Sequence, residues 1–247
     1  MYSWKAIRTL AAVLLLIPIV HLAILVSNET YKVLDPSPEA WAKEVESYVK
    51  ADRLTQLATD PVVIVGGRRV TLWQDLEDLL APMPVLNRGI GDATVNDITH
   101  YYQNLIGFYH AHTVVLLPGE SEFHIRDNKT ADELVAAIKE LVELDLSYSV
   151  TQNFYIFTPL KTPLYPSSSK KIDKASLQLK AWAANDERIR ILDANRLLSD
   201  RDARAKPAFF RTDGVNLNEH GYVRLSLILR AQMERDNPSI YGLSQAL

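Results

Sequence analysis

Short apolar runs alternate with longer stretches of helical periodicity from residue 61 onward, and this alternation restricts the fold more than any other feature. Short, continuous runs of this kind are typical of strands buried on both faces of a parallel sheet. The predicted strands are Val62–Val65, Pro84–Leu86, Thr113–Leu117, Phe154–Phe157 and Ile189–Leu192. The predicted helices are Leu72–Leu80, Val95–Phe108, Ala131–Leu144, Lys174–Ala184 and Asn218–Glu234, and the serine-rich segment Pro166–Lys171 is predicted to be a mobile surface loop. Their order predicts one α/β domain over residues 61–247, with helices on both faces of a five-stranded parallel sheet.

An apolar segment precedes this domain. The run from Leu10 to Val26 is interrupted only by Pro18 and His21 and is long enough to cross a bilayer. Two cations lie before the run and an acidic residue follows it, a pattern that favours translocation of the rest of the chain. No good cleavage site follows, so a membrane anchor over residues 1–27 is favoured over a cleaved signal peptide, which stays the alternative. Both readings place the main domain outside the cytoplasm, in the periplasm if the cell is Gram-negative.

Residues 28–60 are expected to form a juxtamembrane spacer. Ser37 and Pro38 provide an N-cap and a first-turn proline, and Trp41, Val45 and Tyr48 recur on one face of the helix that follows. This apolar stripe predicts a spacer helix that packs on the main domain.

Composition excludes several classes of function. The net charge of −3 and the lack of a basic stripe give no reason to expect nucleic acid as a partner. The sequence has no cysteine, which excludes disulfides, thiolate metal sites and cysteine nucleophiles. The histidines are not spaced like zinc ligands, so neither a metal nor another cofactor is expected.

Four loops fall at the carboxyl ends of predicted strands or before the last helix, where ligands bind in open α/β sheets. The loops are Gly66–Trp73, Asn87–Thr94, Pro118–Phe123 and Asp213–Tyr222. In this order and spacing they resemble the SGNH (GDSL-like) hydrolases, over the stretch from about Pro61 to Arg235. The resemblance is closest to the branch similar to platelet-activating-factor acetylhydrolase subunits. It implies a flavodoxin-like three-layer α/β/α fold and an ester hydrolase that acts on lipids, glycans or peptidoglycan.

Several residues match the blocks of that family, and others depart from them. Matching residues are Gly66 with Leu72-Trp73, Asn87-Arg88-Gly89-Ile90-Gly91, Gly119, Asp213-Gly214, Leu217-Asn218 and Gly221-Tyr222. The resemblance implies that Gly91 provides an oxyanion N–H and that Asp213 orients the base. The departures fall on the reacting groups, because Arg68 replaces the nucleophilic serine, Ser121 the oxyanion asparagine and Asn216 the base histidine.

These departures favour a catalytically degenerate domain that binds or scaffolds in the cell envelope. A guanidinium cannot attack an ester, and an amide cannot accept a proton from a hydroxyl near neutrality. The alternative is an active esterase or deacylase with a rearranged site, using Ser121 as nucleophile or His220 as base. A serine hydroxyl within about 3.2 Å of a histidine nitrogen at the strand ends would favour that alternative.

The two arginines after the first strand have two interpretations. With Gly67, Gly119 and Glu122 they could bind a carbohydrate, a lipid or an anionic small molecule. The favoured interpretation is an internal ion pair of Arg68 with Asp213 or Glu122, because buried charges need partners. The sequence identifies no protein partner.

Overall fold

The computed structural model describes residues 3–124, 126–148 and 150–238. Five strands and ten α-helices make up this part of the chain. In chain order they are α1 (Trp4–Leu34), α2 (Ala42–Asp52), β1 (Val62–Gly66), α3 (Arg68–Thr71), α4 (Leu76–Leu80), β2 (Val85–Gly89), α5 (Val95–His100), α6 (Tyr102–Leu105), β3 (Thr113–Leu117), α7 (Ala131–Ser147), β4 (Asn153–Phe157), α8 (Ser169–Ala183), β5 (Ile189–Leu192), α9 (Asn195–Leu198) and α10 (Glu219–Asp236).

The five strands form one parallel sheet in the order β2-β1-β3-β4-β5. Each observed strand overlaps its predicted run and differs from it by at most three residues at either end, the largest difference being at the end of β2. The predicted α/β class and the flavodoxin-like strand order are therefore confirmed. Because all strands are parallel, their carboxyl ends lie at one edge of the sheet, which we call the carboxyl edge.

Helices cover both faces of the sheet, each over its own apolar core. On one face α2, α5, α7 and α8 pack against side chains such as Val63, Val65 and Ile156. On the other face α4, α9 and α10 pack against Ile64, Val115 and Phe157. The two cores hold the strands rigidly and leave the loops at the carboxyl edge to form a site.

Two of the predicted helices have other bounds in the structure. The helix predicted over Leu72–Leu80 begins only at Leu76, because Asp75 adopts a left-handed conformation with φ of 57°. The helix predicted over Val95–Phe108 is divided into α5, α6 and a 3₁₀ turn, since Tyr101 and Ile106 leave helical geometry.

The segment Pro166–Lys171 is helical rather than a loop. Pro166–Ser168 forms a 3₁₀ turn and α8 begins at Ser169 instead of Lys174. Proline is favourable in the first turn of a helix because its missing N–H would be unpaired there, which accounts for this start.

Helix α2 belongs to the domain and is more than a spacer. Trp41, in the 3₁₀ turn that precedes it, and Val45 are almost fully buried in the core. The Tyr48 hydroxyl donates to the Gly89 carbonyl, and the Arg88 guanidinium pairs with Asp52 at 2.6 Å. The predicted packing of this helix on the main domain is thus seen in the contacts of Trp41, Val45 and Tyr48 with the core.

Helix α1 contains the predicted apolar segment. Its apolar part, Ile7–Asn28, has 22 residues with a mean hydropathy of 2.7, and none of it is buried against the rest of the protein. This single helix is a candidate membrane anchor or signal sequence. The helix continues to Leu34, so only Asp35–Ser37 separate it from the 3₁₀ turn that starts the domain.

Candidate functional site

A pocket of about 260 Å³ opens at the carboxyl edge. All four loops singled out in the sequence contribute to it, together with the loop after β4. The lining residues are Arg68, Arg69, Asp92, Gly119, Glu120, Ser121, His124, Leu164, Tyr165, Asp213, Val215 and Asn216. The structure therefore brings together six of the predicted site residues, namely Arg68, Arg69, Gly119, Ser121, Asp213 and Asn216.

Arg68 is the first residue of α3, directly after β1. Its Nε and Nη2 donate to the two carboxylate oxygens of Asp92, at 2.8 and 2.5 Å. The prediction that Arg68 pairs with Asp213 or Glu122 was wrong. Its ion-pair partner is Asp92, in the loop after β2. The position expected for a nucleophile thus holds a bidentate ion pair.

Arg69 lies beneath this pair and is 2% exposed. Its Nη2 donates to Glu120 Oε2 at 2.9 Å and to the Val215 carbonyl at 3.3 Å. Within the described part of the chain, Arg69 Nε and Glu120 Oε1 are buried and have no hydrogen-bond partner. One unpaired donor and one unpaired acceptor therefore belong to residues of the pocket wall.

The loop before α10 keeps the hydrogen bond of an orienting aspartate. Asp213 Oδ2 accepts from the side-chain amide of Asn216 at 2.8 Å, and its Oδ1 accepts from the N–H groups of Val215 and Asn216. Partial burial opposes ionisation, but these three donors hold the pKa of Asp213 below its usual value. The carboxylate is charged and oriented, and it holds an amide instead of an imidazole.

Gly91 does not direct its N–H into the pocket. That N–H donates to the Glu44 carboxylate of α2 at 2.9 Å, so the expectation of an oxyanion donor is wrong. Trp41 packs so closely on Gly91 that an added Cβ would lie 2.1 Å from its ring. This glycine serves the packing of α2, and its neighbour Asp92 faces the pocket.

Two further ligand-binding candidates also lie outside the pocket wall. Glu122 is fully buried and binds Lys129 at 2.8 Å and the Val95 N–H at 2.6 Å. Burial raises the pKa of Glu122, although these two donors oppose the shift. Gly67 packs against the Ala93 carbonyl oxygen, 2.7 Å from where a Cβ would stand. Both residues support the loops and do not contact the pocket.

His124 is one of six pocket residues that the sequence did not single out, together with Asp92, Glu120, Leu164, Tyr165 and Val215. Its Nε2 lies 2.8 Å from Ser168 Oγ and 3.4 Å from Glu120 Oε1, and its ring stacks on Tyr165 at 3.8 Å. Burial lowers the pKa of His124, with Glu120 opposing the shift. No family block contains this residue, and the four-residue spacing from Glu120 was the only local signal. His220, the base considered earlier, is exposed in the first turn of α10 and does not line the pocket.

No protein-family model and no curated protein matches this chain. Solved structures do match. A Streptococcus pneumoniae protein proposed to be a platelet activating factor is 16% identical, with a TM-score of 0.67 over 78% of this chain and 92% of that one. A GDSL-like lipase from Bacteroides thetaiotaomicron is 15% identical, with a TM-score of 0.67 over 78% and 98%. A catalytic mutant of an acetylxylan esterase from Geobacillus stearothermophilus is 16% identical, with a TM-score of 0.56 over 73% and 95%.

At these identities the likeness concerns the fold and not the reaction. The fold agrees with the parallel five-stranded sheet and with the four loops that meet at its carboxyl edge. The chain therefore has the fold of the SGNH (GDSL-like) hydrolases.

Proposed function

We propose that this protein is a membrane-anchored, extracytoplasmic domain of the SGNH hydrolase fold that binds a ligand in the cell envelope without hydrolysing it. The observation that carries the proposal is the bidentate Arg68–Asp92 ion pair where the nucleophile would stand. The apolar part of α1 supports the anchor, because its 22 residues suffice to cross the hydrocarbon of a bilayer.

Acyl transfer needs a nucleophile in contact with a base, and donors aimed at the developing oxyanion. Arg68 offers no lone pair, and Asn216 cannot take up a proton although Asp213 still orients it. The Gly91 N–H is already used by Glu44. The Asp92 carboxylate beside the expected nucleophile position would repel an oxyanion. Each of the three requirements is unmet at the expected positions.

The pocket favours a ligand rich in neutral hydroxyl groups. Its charged lining residues are two arginines and three carboxylates, namely Arg68, Arg69, Asp92, Glu120 and Asp213, which disfavours an anion. Arg69 Nε and Glu120 Oε1 are buried in the wall and lack a hydrogen-bond partner among the described residues, and a hydroxyl group would satisfy both once the wall opens to admit it, accepting from the one and donating to the other. Among the ligand classes expected from the sequence, a carbohydrate fits this pair best.

The second candidate function is an active esterase that uses Ser168 and His124. Their 2.8 Å contact meets the distance expected of a nucleophile and its base. Two observations disfavour it. Ser168 is 4% exposed and is not among the residues that line the pocket. The Glu120 carboxylate approaches the same Nε2 as the serine, whereas an orienting acid binds the other ring nitrogen.

An ester-hydrolysis assay on the purified protein separates the two candidates. Substrates are p-nitrophenyl acetate and acetylated xylan, and the variants are Ser168→Ala and His124→Gln, with the exposed Ser167→Ala as the matched control. We expect no turnover above the protein-free rate in any of them. Turnover that Ser168→Ala abolishes and Ser167→Ala preserves would establish the esterase.

Calorimetric titration with neutral oligosaccharides tests the ligand class. We expect binding that weakens about tenfold in Glu120→Gln, the equivalent of one hydrogen bond to a charged group. The exposed Glu187→Gln is the control and should bind as the wild type does. Tighter binding of sugar phosphates than of neutral sugars would contradict the hydroxyl-rich ligand.

A further inference from the structure

Arg126 joins the pocket loop to the segment that leaves helix α1. It lies two residues after His124 of the pocket, and its side chain is 2% exposed. The guanidinium donates to the carbonyl oxygens of Asp35 and Ser37 and to the carboxylate of Asp97. We call this arrangement the Arg126 clamp. It fixes the three-residue linker to the domain through a buried, charge-assisted contact.

The clamp lies at the carboxyl edge of the sheet. Trp41, whose ring is 4.9 Å from the Arg126 guanidinium, packs on Gly91 just beyond the end of β2. From there α2 runs toward the opposite edge, since Asp52 near its end accepts a hydrogen bond from the hydroxyl of Tyr109, in the turn that leads into the start of β3. The chain therefore enters the domain at the edge where the pocket opens.

The distance from the apolar span to the domain is short. The span ends at Asn28 and the helix at Leu34, so the intervening part of α1 adds about 9 Å. The linker Asp35–Ser37 adds at most about 10 Å even when fully extended. The opposite edge lies one strand length farther away, about 17 Å for a five-residue strand.

We propose that the carboxyl edge faces the bilayer surface and that the pocket takes the hydroxyl-bearing headgroup of a membrane lipid. The proposal rests on the proposed function for the anchor and for the pocket chemistry. It goes further because it names the bilayer as the partner of this edge and a lipid as the source of the hydroxyl groups. A pocket clamped beside its own anchor meets membrane-borne ligands at a high effective concentration.

Single labelled cysteines in nanodiscs test the orientation, and the absence of native cysteine makes the labelling specific. Ser167→Cys places a fluorophore on an exposed site two residues from Tyr165 of the pocket. Gln152→Cys is the matched control, exposed directly before β4 at the opposite edge. With nitroxide-headgroup lipids we expect quenching at 167 several-fold stronger than at 152. Equal quenching, or stronger quenching at 152, would overturn the orientation.

A flexible glycine-serine insertion between Leu34 and Asp35 tests the cause without disturbing the Arg126 clamp. It should reduce quenching at 167 toward that at 152 while the unfolding midpoint of the domain stays unchanged. Unchanged quenching at 167 would overturn the role of the short linker.

The ligand source is tested in nanodiscs with and without a monohexosyl diacylglycerol. We expect this lipid to protect Ser121 and His124 from hydrogen exchange more than the same free hexose at equal concentration. Equal protection by both would overturn the lipid source and leave the binding function intact. The intact mass of the purified protein shows whether the N-terminal span is retained. A protein that lacks the span would contradict the membrane anchor of the proposed function. A full-length protein with equal quenching at the two positions would contradict only the orientation.

Discussion

The turn after β1 and the loop before α10 both line the pocket, and polar contacts hold them in different ways. In the loop before α10, Asp213 binds Asn216, the residue three positions on, where the family resemblance predicts a histidine. In the turn after β1, Arg68 lies where the resemblance predicts a serine and binds Asp92 from another loop. One loop is held by a hydrogen bond within itself, and the other by an ion pair between two loops.

The difference follows from what each side chain brings into the site. Asn216 is a neutral amide that donates to Asp213, and the Asp213 contacts to two backbone N–H groups also hold the loop. Arg68 brings a charge and a long, half-exposed side chain that binds Asp92 beside the pocket. The Asp213 loop is thus held by local hydrogen bonds, whereas the turn after β1 is held by a contact between two loops.

The largest expected effect comes from introducing the family's reacting groups into the pocket and removing Asp92 at the same time. We expect a variant with Arg68→Ser, Asp92→Gly, Ser121→Asn and Asn216→His to hydrolyse p-nitrophenyl acetate about 10³-fold faster than the wild type, since a nucleophile–base pair accounts for rate factors of this order or more. The comparison variant that keeps Asp92 should stay near the wild-type rate, because the carboxylate opposes the oxyanion. Equal rates in the two variants would contradict the role given to Asp92.

The two adjacent arginines should differ strongly in stability when they are truncated. Arg69→Met leaves Glu120 buried and unpaired, and should lower the free energy of unfolding by about 3–5 kcal/mol. Arg68→Met breaks a pair whose side chains are 47% and 22% exposed, so it should cost less than about 1 kcal/mol. Urea denaturation measures both. Adding Glu120→Met to Arg69→Met should restore part of the lost free energy of unfolding. Similar losses in Arg68→Met and Arg69→Met would contradict the difference in burial between the two ion pairs.

Asp213 provides a smaller effect that depends on pH. We expect Asp213→Ala to lower the free energy of unfolding by about 1 kcal/mol at pH 7, the net value of a hydrogen bond to a partly exposed loop. Since folding lowers the pKa of Asp213, its contribution is complete above the unfolded value near 3.9 and is lost as the pH falls through the folded value. The difference between variant and wild type should shrink as the pH falls below about 4. A difference that grows on acidification would contradict this sign.

The smallest effect concerns His124, which lines the same pocket. Burial should place its pKa below 6.5 in a nuclear magnetic resonance titration. Glu120→Gln should lower the pKa further, because Glu120 is the group that favours the charged imidazole. A rise in that variant would show that another group controls the ring.

Much of the fold could be predicted from the sequence because it depends on local patterns. Runs such as Val62–Val65 and Thr113–Leu117 are buried on both faces, so their continuous apolar character predicted strands with nearly correct bounds. Arg68, Ser121 and Asn216 could be singled out because they lie at fixed distances from Gly66, Gly119 and Asp213. The structure places these three residues on the wall of one pocket.

The remaining contacts depend on residues that are distant in sequence. Glu44 reaches the Gly91 N–H across 47 positions, and Asp92 pairs with Arg68 across 24, so no spacing rule could identify either contact. His124 enters the pocket only because a 3₁₀ turn over Glu120–Glu122 directs the chain back across the site. Such placements follow from how the loops pack, which the pattern of apolar residues does not encode.

A fluorophosphonate probe, which reacts with activated serines, tests whether the pocket holds one. The wild-type protein is incubated with the probe beside the variant that carries Arg68→Ser, Asp92→Gly, Ser121→Asn and Asn216→His, and adducts are located by intact mass and peptide mapping. We predict no adduct on the wild type and one adduct at position 68 of the variant. An adduct on Ser168 or Ser121 of the wild type would show an activated serine and contradict the account.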